Sequence, residues 1–569
     1  MSNSSLSGVA FKSFMGNSPV WYKQGVILAL ILNPLIFFIT KNPQITGWLI
    51  LVEFIATLAL ALKCYPLIPG GLIALEAAFL NTSIVKKITT SEGIKEVKEH
   101  IHMVTPHGIY HEVEANLEVI LLLLFMVAGI HFMKDLLSWV FTKIIVGIRS
   151  KYTLSLTFAF VGAFLSAWLD ALTVTAVMIA VAIAFYNIYT SASLDERVPG
   201  DLDRDKKKFV ARQDLDNFGG FLRNLLMHGV VGTAMGGVAT QVGEPQNLII
   251  ASKMDWDFVK FYLKIAHISI PILLTGLVVT VLVERFKIVG YGYRLPDNVR
   301  AILKQNADKM RDEMDTRKRW ALWIQGVGAI WLVVALALHL AEVGLIGLSV
   351  VVFLTAMLGK TDENTIGHAF EEATPFTSLL VIFFVVVGMI EETHLFEPII
   401  KIALDAEGSN QTYIFFFASG ILSAISDNVF VGTIYIKEAY NAFVTPENLK
   451  ITKEAFEQFD SFITAQKLGV TDEVFKSMEL ASKKLLYLKV QSPKVFEQLE
   501  NVAAAINVGT NIPSIATPNG QAAFLFLLTN AIAARINLSY IRMVKMALPY
   551  FIVITSVAAL FLLLKWLPV

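Results

Sequence analysis

Apolar runs long enough to cross a bilayer recur along the chain, at 117–133, 261–283, 321–338, 375–390 and 546–565 among other places. A span needs about 20 mostly apolar residues, and a helix hydrophobic all round needs an apolar solvent. So many runs cannot all be core helices of a soluble domain. Of 569 residues, 55% are hydrophobic and 17% charged, against roughly 25% charged in soluble proteins. The fold class that follows is an all-α polytopic membrane protein, with the lipid bilayer as its first partner. Net charge is zero, which gives no reason to expect nucleic acid as a partner. The single cysteine, Cys64, excludes an intramolecular disulfide and leaves no basis for a thiolate metal cluster. The polar start, MSNSSLSGVAFKSFMGNSPVWYKQ, lacks the apolar core of a signal peptide, so the run at 26–40 reads as a retained span.

Hydropathy predicts about 11 transmembrane helices, near 26–40, 47–65, 67–81, 117–148, 222–252, 261–283, 321–340, 343–359, 375–404, 501–530 and 546–567. Two further apolar stretches, 152–190 and 413–436, each carry a Ser-Ala-x-x-Asp element near the middle. Both fit two short arms better than one span. Non-helical backbone at membrane depth is tolerated only beside protein or a water-filled cavity, so both are expected to be re-entrant hairpins with the acid near the tip. Lys and Arg crowd 143–151, 204–223, 285–319 and 535–545, and this topology puts all four stretches on the cytoplasmic side. The N-terminus is then cytoplasmic. The C-terminus lies outside, with the loops 82–115 and 437–500; the latter reads as a small soluble helical insert with apolar faces from Phe456, Phe459, Phe462, Leu480 and Leu485.

Four pairs of segments match in the same order. ALALK at 59–63 matches ALALH at 335–339, and LLLLFMVAGI at 121–130 matches LVIFFVVVGM at 380–389. LSAWLD at 165–170 matches LSAISD at 422–427, and GTAMGGVAT at 232–240 matches GTNIPSIAT at 509–517. Any one pair is weak, but four collinear pairs indicate a duplication. With the topology above the halves are inverted, a recurring plan of secondary transporters. The expected organisation is a cytoplasmic segment 1–25, an extra span 26–46, a first repeat 47–283, a cytoplasmic linker 284–320 and a second repeat 321–567. The first repeat holds hairpin 152–190 and broken helix 222–252; the second holds hairpin 413–436, the extracytoplasmic insert 437–500 and broken helix 501–530.

The chemistry concentrates at the repeat centres. GGVATQVGEPQN at 236–247 and NIPSIATPNG at 511–520 interrupt apolar helices with glycine and proline, which unwind a helix and remove backbone donors. Thr240, Asn247, Thr517 and Asn519 are on hand to satisfy the freed groups. Asp170 and Asp427 fall at the hairpin tips, and Glu244 in the first broken helix. A charge at the bilayer centre costs about 2.5–3.5 kcal/mol on insertion scales. Such acids therefore face a cavity, take a partner or stay protonated; a structural acid satisfied by its own turn is the alternative for each. Ser166, Thr173, Ser423, Ser426 and Asn428 add hard oxygen-bearing neighbours, suited to Na+ or Li+ at Asp170 and Asp427 rather than to a soft metal. Desolvation favours a protonated acid and a bound cation an ionised one. Sodium and protons would compete for the same carboxylates, and alternating exposure would exchange them. His100, His102, His107 and His111 read as a solvated histidine-rich loop.

The motifs SPVWYKQGVILALILNPLIFF, AFLSAWLDALTV, GGVATQVGEPQNLIIA, LALHLAEVGLIGLSV, SDNVFVGTIYI and GTNIPSIATPNGQAAFLFLLT together resemble the NhaB-type bacterial sodium/proton antiporters of the ion transporter superfamily. The resemblance runs from about residue 15 to the C-terminus. It implies an inner-membrane protein that expels sodium or lithium for entering protons, electrogenically, with no cofactor. It also implies a scaffold-plus-transport architecture, hairpins and discontinuous helices around the ion site, and a homodimer. The family's first membrane aspartate falls on Asp170, its Asp-Asn pair on Asp427 and Asn428, and 445–500 is longer than the family's loop at that place. The alternative on the same scaffold is a sodium-coupled dicarboxylate symporter, whose tips carry Ser-Asn-Thr; here they read LDA and SDN. A membrane metalloprotease would need His-Glu-x-x-His in a span, and HGIYHE lies in a polar loop without that spacing.

Overall fold

The computed structural model describes residues 6–60, 64–90, 93–195, 204–406 and 409–564, and helices dominate it. Among these residues six helices are long and apolar enough to cross a membrane: Val20–Thr40, Ala171–Ser191, Phe258–Phe286, Thr316–Ala337, Ala373–Glu392 and Tyr540–Leu564. Pro43–Ala59, Leu67–Phe79 and Val343–Leu358 are apolar but shorter. ALALK at 59–63 lies partly outside the described residues.

Two expected single spans are divided. The run 117–148 forms Leu117–His131 and Lys134–Gly147. Buried Gln325, from Thr316–Ala337, reaches into the break: its Oε1 accepts the Leu136 N–H at 2.7 Å and its amide donates to Asp135 at 3.3 Å. Freed backbone at membrane depth needs such a partner, and this one is supplied from far along the chain. The run 375–404 likewise stops at Glu392 and resumes as Glu397–Leu404. The all-α expectation also needs amendment. Asn81–Thr90 and Gly93–His102 are antiparallel strands, paired from Asn81 opposite His102 to Thr90 opposite Gly93. Their density of Ile, Val and Thr favours strand over loop.

The chain packs as two compact units, residues 1–120 with 374–405, and 121–373 with 406–569. In the first, Val20–Thr40, Pro43–Ala59 and Leu67–Phe79 pack together, and Phe54 meets Phe383 edge-on. Fully buried Asn33 donates there to Glu53 at 2.8 Å and to Glu76 at 2.9 Å.

All the candidate ion-site residues belong to the second unit. Lys151–Ser166 and Ala171–Asp195 form a first helix pair with Asp170 at the joint, and Ser409–Ile425 and Asn428–Phe443 a second with Asp427 at the joint. Ala171–Asp195 is longer than the short arm expected, since its first 21 residues pass as a span. The two broken helices fall where the glycines and prolines put them. Arg204–Gly237 resumes as Pro245–Met254, and Pro493–Asn511 resumes as Ala522–Thr529 after two 3-10 turns.

The packing of these elements has the same pattern twice. Lys151–Ser166 lies along Arg204–Gly237, as Ser409–Ile425 lies along Pro493–Asn511. The distal halves cross over: Pro245–Met254 packs on Asn428–Phe443, and Ala522–Thr529 on Ala171–Asp195. Small residues permit the close approach. Gly232 faces the Ala159 carbonyl and Gly509 the Phe416 carbonyl, and a Cβ on either would collide with backbone. One turn on, Gly236 meets Ala163, whereas the matching contact in the other half is Gly420 against the Pro513 ring.

Between Pro446 and Gln491 the segment 437–500 forms six short helices. The rings of Phe459, Phe462 and Tyr487 make a small core, while Leu480 faces outward. Within this segment Tyr440 donates to the Ala481 carbonyl at 3.2 Å, and Ser482 donates to Asp255 at 3.1 Å, which ties the segment to the end of Pro245–Met254.

Candidate functional site

Each aspartate caps the helix that follows it. Asp427 is the N-cap of Asn428–Phe443 and accepts the Val429 N–H at 2.8 Å. Asp170 accepts the Thr173 N–H at 3.2 Å, with the Thr173 hydroxyl at 3.5 Å. Both carboxylates face two successive amides, Leu172 and Thr173 in one pair, Val429 and Phe430 in the other. The sequence match pairs these positions, so the two tips are built alike. The helix N-terminus also supplies partial positive charge, which lets an acid sit at an apolar tip without a basic partner.

Glu244 is the N-cap residue of Pro245–Met254, at the end of the first break. It is 4% exposed and Asp170 7%. The charged groups whose field Glu244 feels are Asp170 and Asp427, so the fold brings all three acids together. None of the three forms an ion pair with Lys, Arg or His among the described residues. Around them lie buried polar atoms with no hydrogen-bond partner: Ser166 Oγ, Glu244 Oε1, Gln246 Oε1, Ser426 Oγ and Asn428 Nδ2. Orphaned buried polar atoms are rare in a finished core. The open oxygens of Ser166, Glu244, Gln246 and Ser426 form a set suited to a proton or a hard cation, whereas Asn428 Nδ2 is a donor. No group of three or more His, Cys, Asp or Glu among the described residues forms a ready-made metal cage.

The remaining candidates hold the breaks together. Thr240 donates to the Ala167 carbonyl and Thr517 to the Ala424 carbonyl, which is one contact made twice at matched positions. Gly243 lies against the carbonyls of Gly237 and Ser166, and Gly520 against those of Ser514 and Ser423, again the same arrangement. Ser423 donates to the Thr510 carbonyl at 3.0 Å. Asn247 donates to the carbonyls of Gly237 and Thr240, both at 2.7 Å. These side chains satisfy backbone that the unwinding frees and are occupied in doing so. Asn519 is partly buried in the 3-10 turn Pro518–Gly520.

Sequence reasoning missed the link between the breaks. Gln246 donates to Asn511 Oδ1 at 3.1 Å, and Asn511 donates to Asn247 Oδ1 at 2.9 Å. Asn507 reaches the Val238 carbonyl at 3.2 Å. All four amides are fully buried. Gln521 donates to the Asn511 carbonyl at 2.7 Å and to Ser514 at 2.9 Å. One signal was available: continuing the match of 232–240 with 509–517 sets Gly243-Glu244 against Gly520-Gln521. An amide therefore stands in one half where the other has an acid.

Comparison with known proteins places the chain in a family. The family model for the bacterial Na+/H+ antiporter B (NhaB) matches residues 3–471 and 468–568. A protein of Teredinibacter turnerae is 48% identical over 559 residues, covering 98% of both chains. One of Hahella chejuensis is 49% identical over 546 residues, 95% of this chain and 96% of its own. One of Escherichia coli is 48% identical over 554 residues, 97% of this chain and 94% of its own. Each is named Na+/H+ antiporter NhaB. The first is as long as this chain, so 445–500 is not an addition peculiar to it. With near-complete matches at this identity, the chain belongs to the bacterial Na+/H+ antiporter B (NhaB) family.

Proposed function

We propose that the protein is a secondary transporter that exchanges Na+ or Li+ for H+ across the bacterial inner membrane, extruding the metal ion as protons enter. The observation that carries this reading is the gathering of Asp170, Asp427 and Glu244 without a basic partner, beside the open hydroxyl oxygens of Ser166 and Ser426. Ionised acids so placed attract a cation; protonated, they rest without one. The two states exclude each other, and that exclusion couples the ions. Hydroxyl and carbonyl oxygens at the two tips complete the cation's ligands on this reading. Electrogenic exchange is part of the same proposal by family likeness.

Alternating access rests on an inverted repeat with two re-entrant hairpins and two discontinuous helices. The doubled contacts, Thr240 with Ala167 and Thr517 with Ala424, support that duplication. The lysine and arginine bias supports a cytoplasmic N-terminus, a periplasmic C-terminus and about 11 spans. A homodimer is part of the same proposal by family likeness. The sodium-coupled dicarboxylate symporter has no observation in its favour, because three acids at the site would repel an anionic substrate.

The test is sodium-driven dequenching of a pH-sensitive dye in everted vesicles, for wild type beside Asp170→Asn and Asp427→Asn. Each variant is expected to insert normally and to lose most exchange. Full exchange in both would remove these residues from the mechanism.

A further inference from the structure

A second buried titratable cluster lies away from the three acids, in the same unit. His228 sits nine positions before Gly237 on Arg204–Gly237, about 13 Å along the helix at 1.5 Å per residue. His228, Glu284, Thr280 and Tyr550 are all at most 1% exposed. They form one chain of contacts. His228 Nε2 is 3.0 Å from Glu284 Oε1 and Nδ1 is 2.7 Å from the Tyr550 hydroxyl. That hydroxyl is 3.0 Å from Thr280 Oγ1, which is 3.0 Å from the Gly276 carbonyl.

Each hydroxyl carries one proton and turns freely, and a neutral imidazole has one donor and one acceptor. With Glu284 ionised, two assignments satisfy every contact of the chain. In the first, Thr280 donates to Gly276 and Tyr550 donates to Thr280. Tyr550 then has only a lone pair for Nδ1, so both ring nitrogens donate and His228 is an imidazolium facing the Glu284 carboxylate. In the second, Thr280 donates to Tyr550, Tyr550 donates to Nδ1, and only Nε2 of a neutral ring donates to Glu284. The two differ by one proton, and neither leaves a donor of the chain unused.

We propose that His228 with Glu284 is a proton-only station of the transporter, loaded and unloaded by one proton as the Tyr550 and Thr280 hydroxyls reverse. The balance is His228 imidazolium to His228 imidazole plus H+, with the Nδ1 proton given up and Nε2 retaining its own. The charged and titratable groups facing the pair decide against a metal ion. Lys151 Nζ lies 3.4 Å from Glu284 Oε2 and donates to the Glu284 and Gly292 carbonyls. Tyr291 stacks on the ring at 4.7 Å. Arg223, five positions before His228 on the same helix, lies over Tyr293 and near Arg542. Lys151 already shares the one carboxylate present, and Glu284 Oε2 is a single open oxygen there, too few ligands for Na+. The inference rests on the exchange reading only in taking the proton as a transported ion.

The test uses the full-length protein labelled with 15N at histidine. The signals lost in His228→Gln report this ring, and the remaining histidine signals verify the fold. In wild type the ring is expected to pass from both nitrogens protonated to Nε2 alone within about two pH units of neutrality. Tyr550→Phe removes the acceptor of the charged ring, a bond roughly twice as strong as its neutral counterpart, so proton binding should weaken about tenfold. In proteoliposomes the pH profile of sodium-driven exchange should move with it. A ring fixed in one protonation state over that range, or a Tyr550→Phe profile identical to wild type, overturns the proposal. If the ring titrates while Asp170→Asn and Asp427→Asn exchange normally, the carboxylate reading falls and this station stands; a fixed ring with inactive aspartate variants does the reverse.

Discussion

Asp170 and Asp427 each spend part of their carboxylate on capping a helix, and this separates fold from transport in a variant. Asparagine caps a helix about as well as aspartate, whereas alanine in that place costs about 0.5–2 kcal/mol. Asp427→Asn should therefore melt within about 0.5 kcal/mol of wild type while exchange fails, and Asp427→Ala should lose stability as well. Thermal unfolding of the purified protein beside vesicle exchange checks both halves. If Asp427→Asn unfolded as readily as Asp427→Ala, the charge itself would be holding the tip. The acids could be read from the sequence because a lone charge in an apolar run is conspicuous. Gln246, Asn507 and Asn511 could not: an amide in an apolar helix is a weak signal, and their partners lie more than 260 positions away.

At the scale of elements, the broken helices were legible because glycine and proline cluster there, yet proline alone is a poor guide. Pro34, Pro271, Pro375 and Pro549 all lie inside continuous helices. The division at 132–133 carries no such mark, and its partner, Gln325, comes from a helix almost 200 positions on. The strands at 81–102 are hard to read in the sequence because their lysines, glutamates and histidines interrupt the Ile, Val and Thr that favour a strand. The two breaks depend on one another through Asn511. Asn511→Ala strands Gln246 Nε2 and Asn247 Oδ1 in a buried place, and an unsatisfied buried group costs about 1–3 kcal/mol. A loss of that order in thermal unfolding is expected. Double-mutant cycles with Gln246→Ala should be non-additive, since residues sharing a network couple by about 0.5–3 kcal/mol.

For the whole molecule, a ligand that binds only the folded state stabilises it, by about 2.7 kcal/mol at a hundred times its dissociation constant. Sodium should therefore raise the melting temperature of the wild-type protein. Protons compete for the same acids on the proposed reading, so this protection should fade as pH falls. It should be absent in the Asp170→Asn, Asp427→Asn double variant at every pH. A melting scan over sodium concentration at several pH values decides it; protection that ignores pH would contradict a shared seat. The grouping of 1–120 with 374–405 was not visible in the sequence, because packing between segments so far apart leaves no periodic trace.

The small residue where Lys151–Ser166 crosses Arg204–Gly237 has a further bearing. One half places glycine on the broken helix, Gly236 against Ala163; the other places it on the opposite member, Gly420 against Pro513, where a Cβ would stand 2.8 Å from the proline ring. Under the proposed duplication, the twin crossings have diverged as matched partners. Gly236→Ala should jam the crossing against the Ala163 backbone and lower the yield of folded protein, and adding Ala163→Gly should recover part of it. Lineages of this transporter would then have had to pass through the roomier intermediate, glycine on both sides, before either side could fill in.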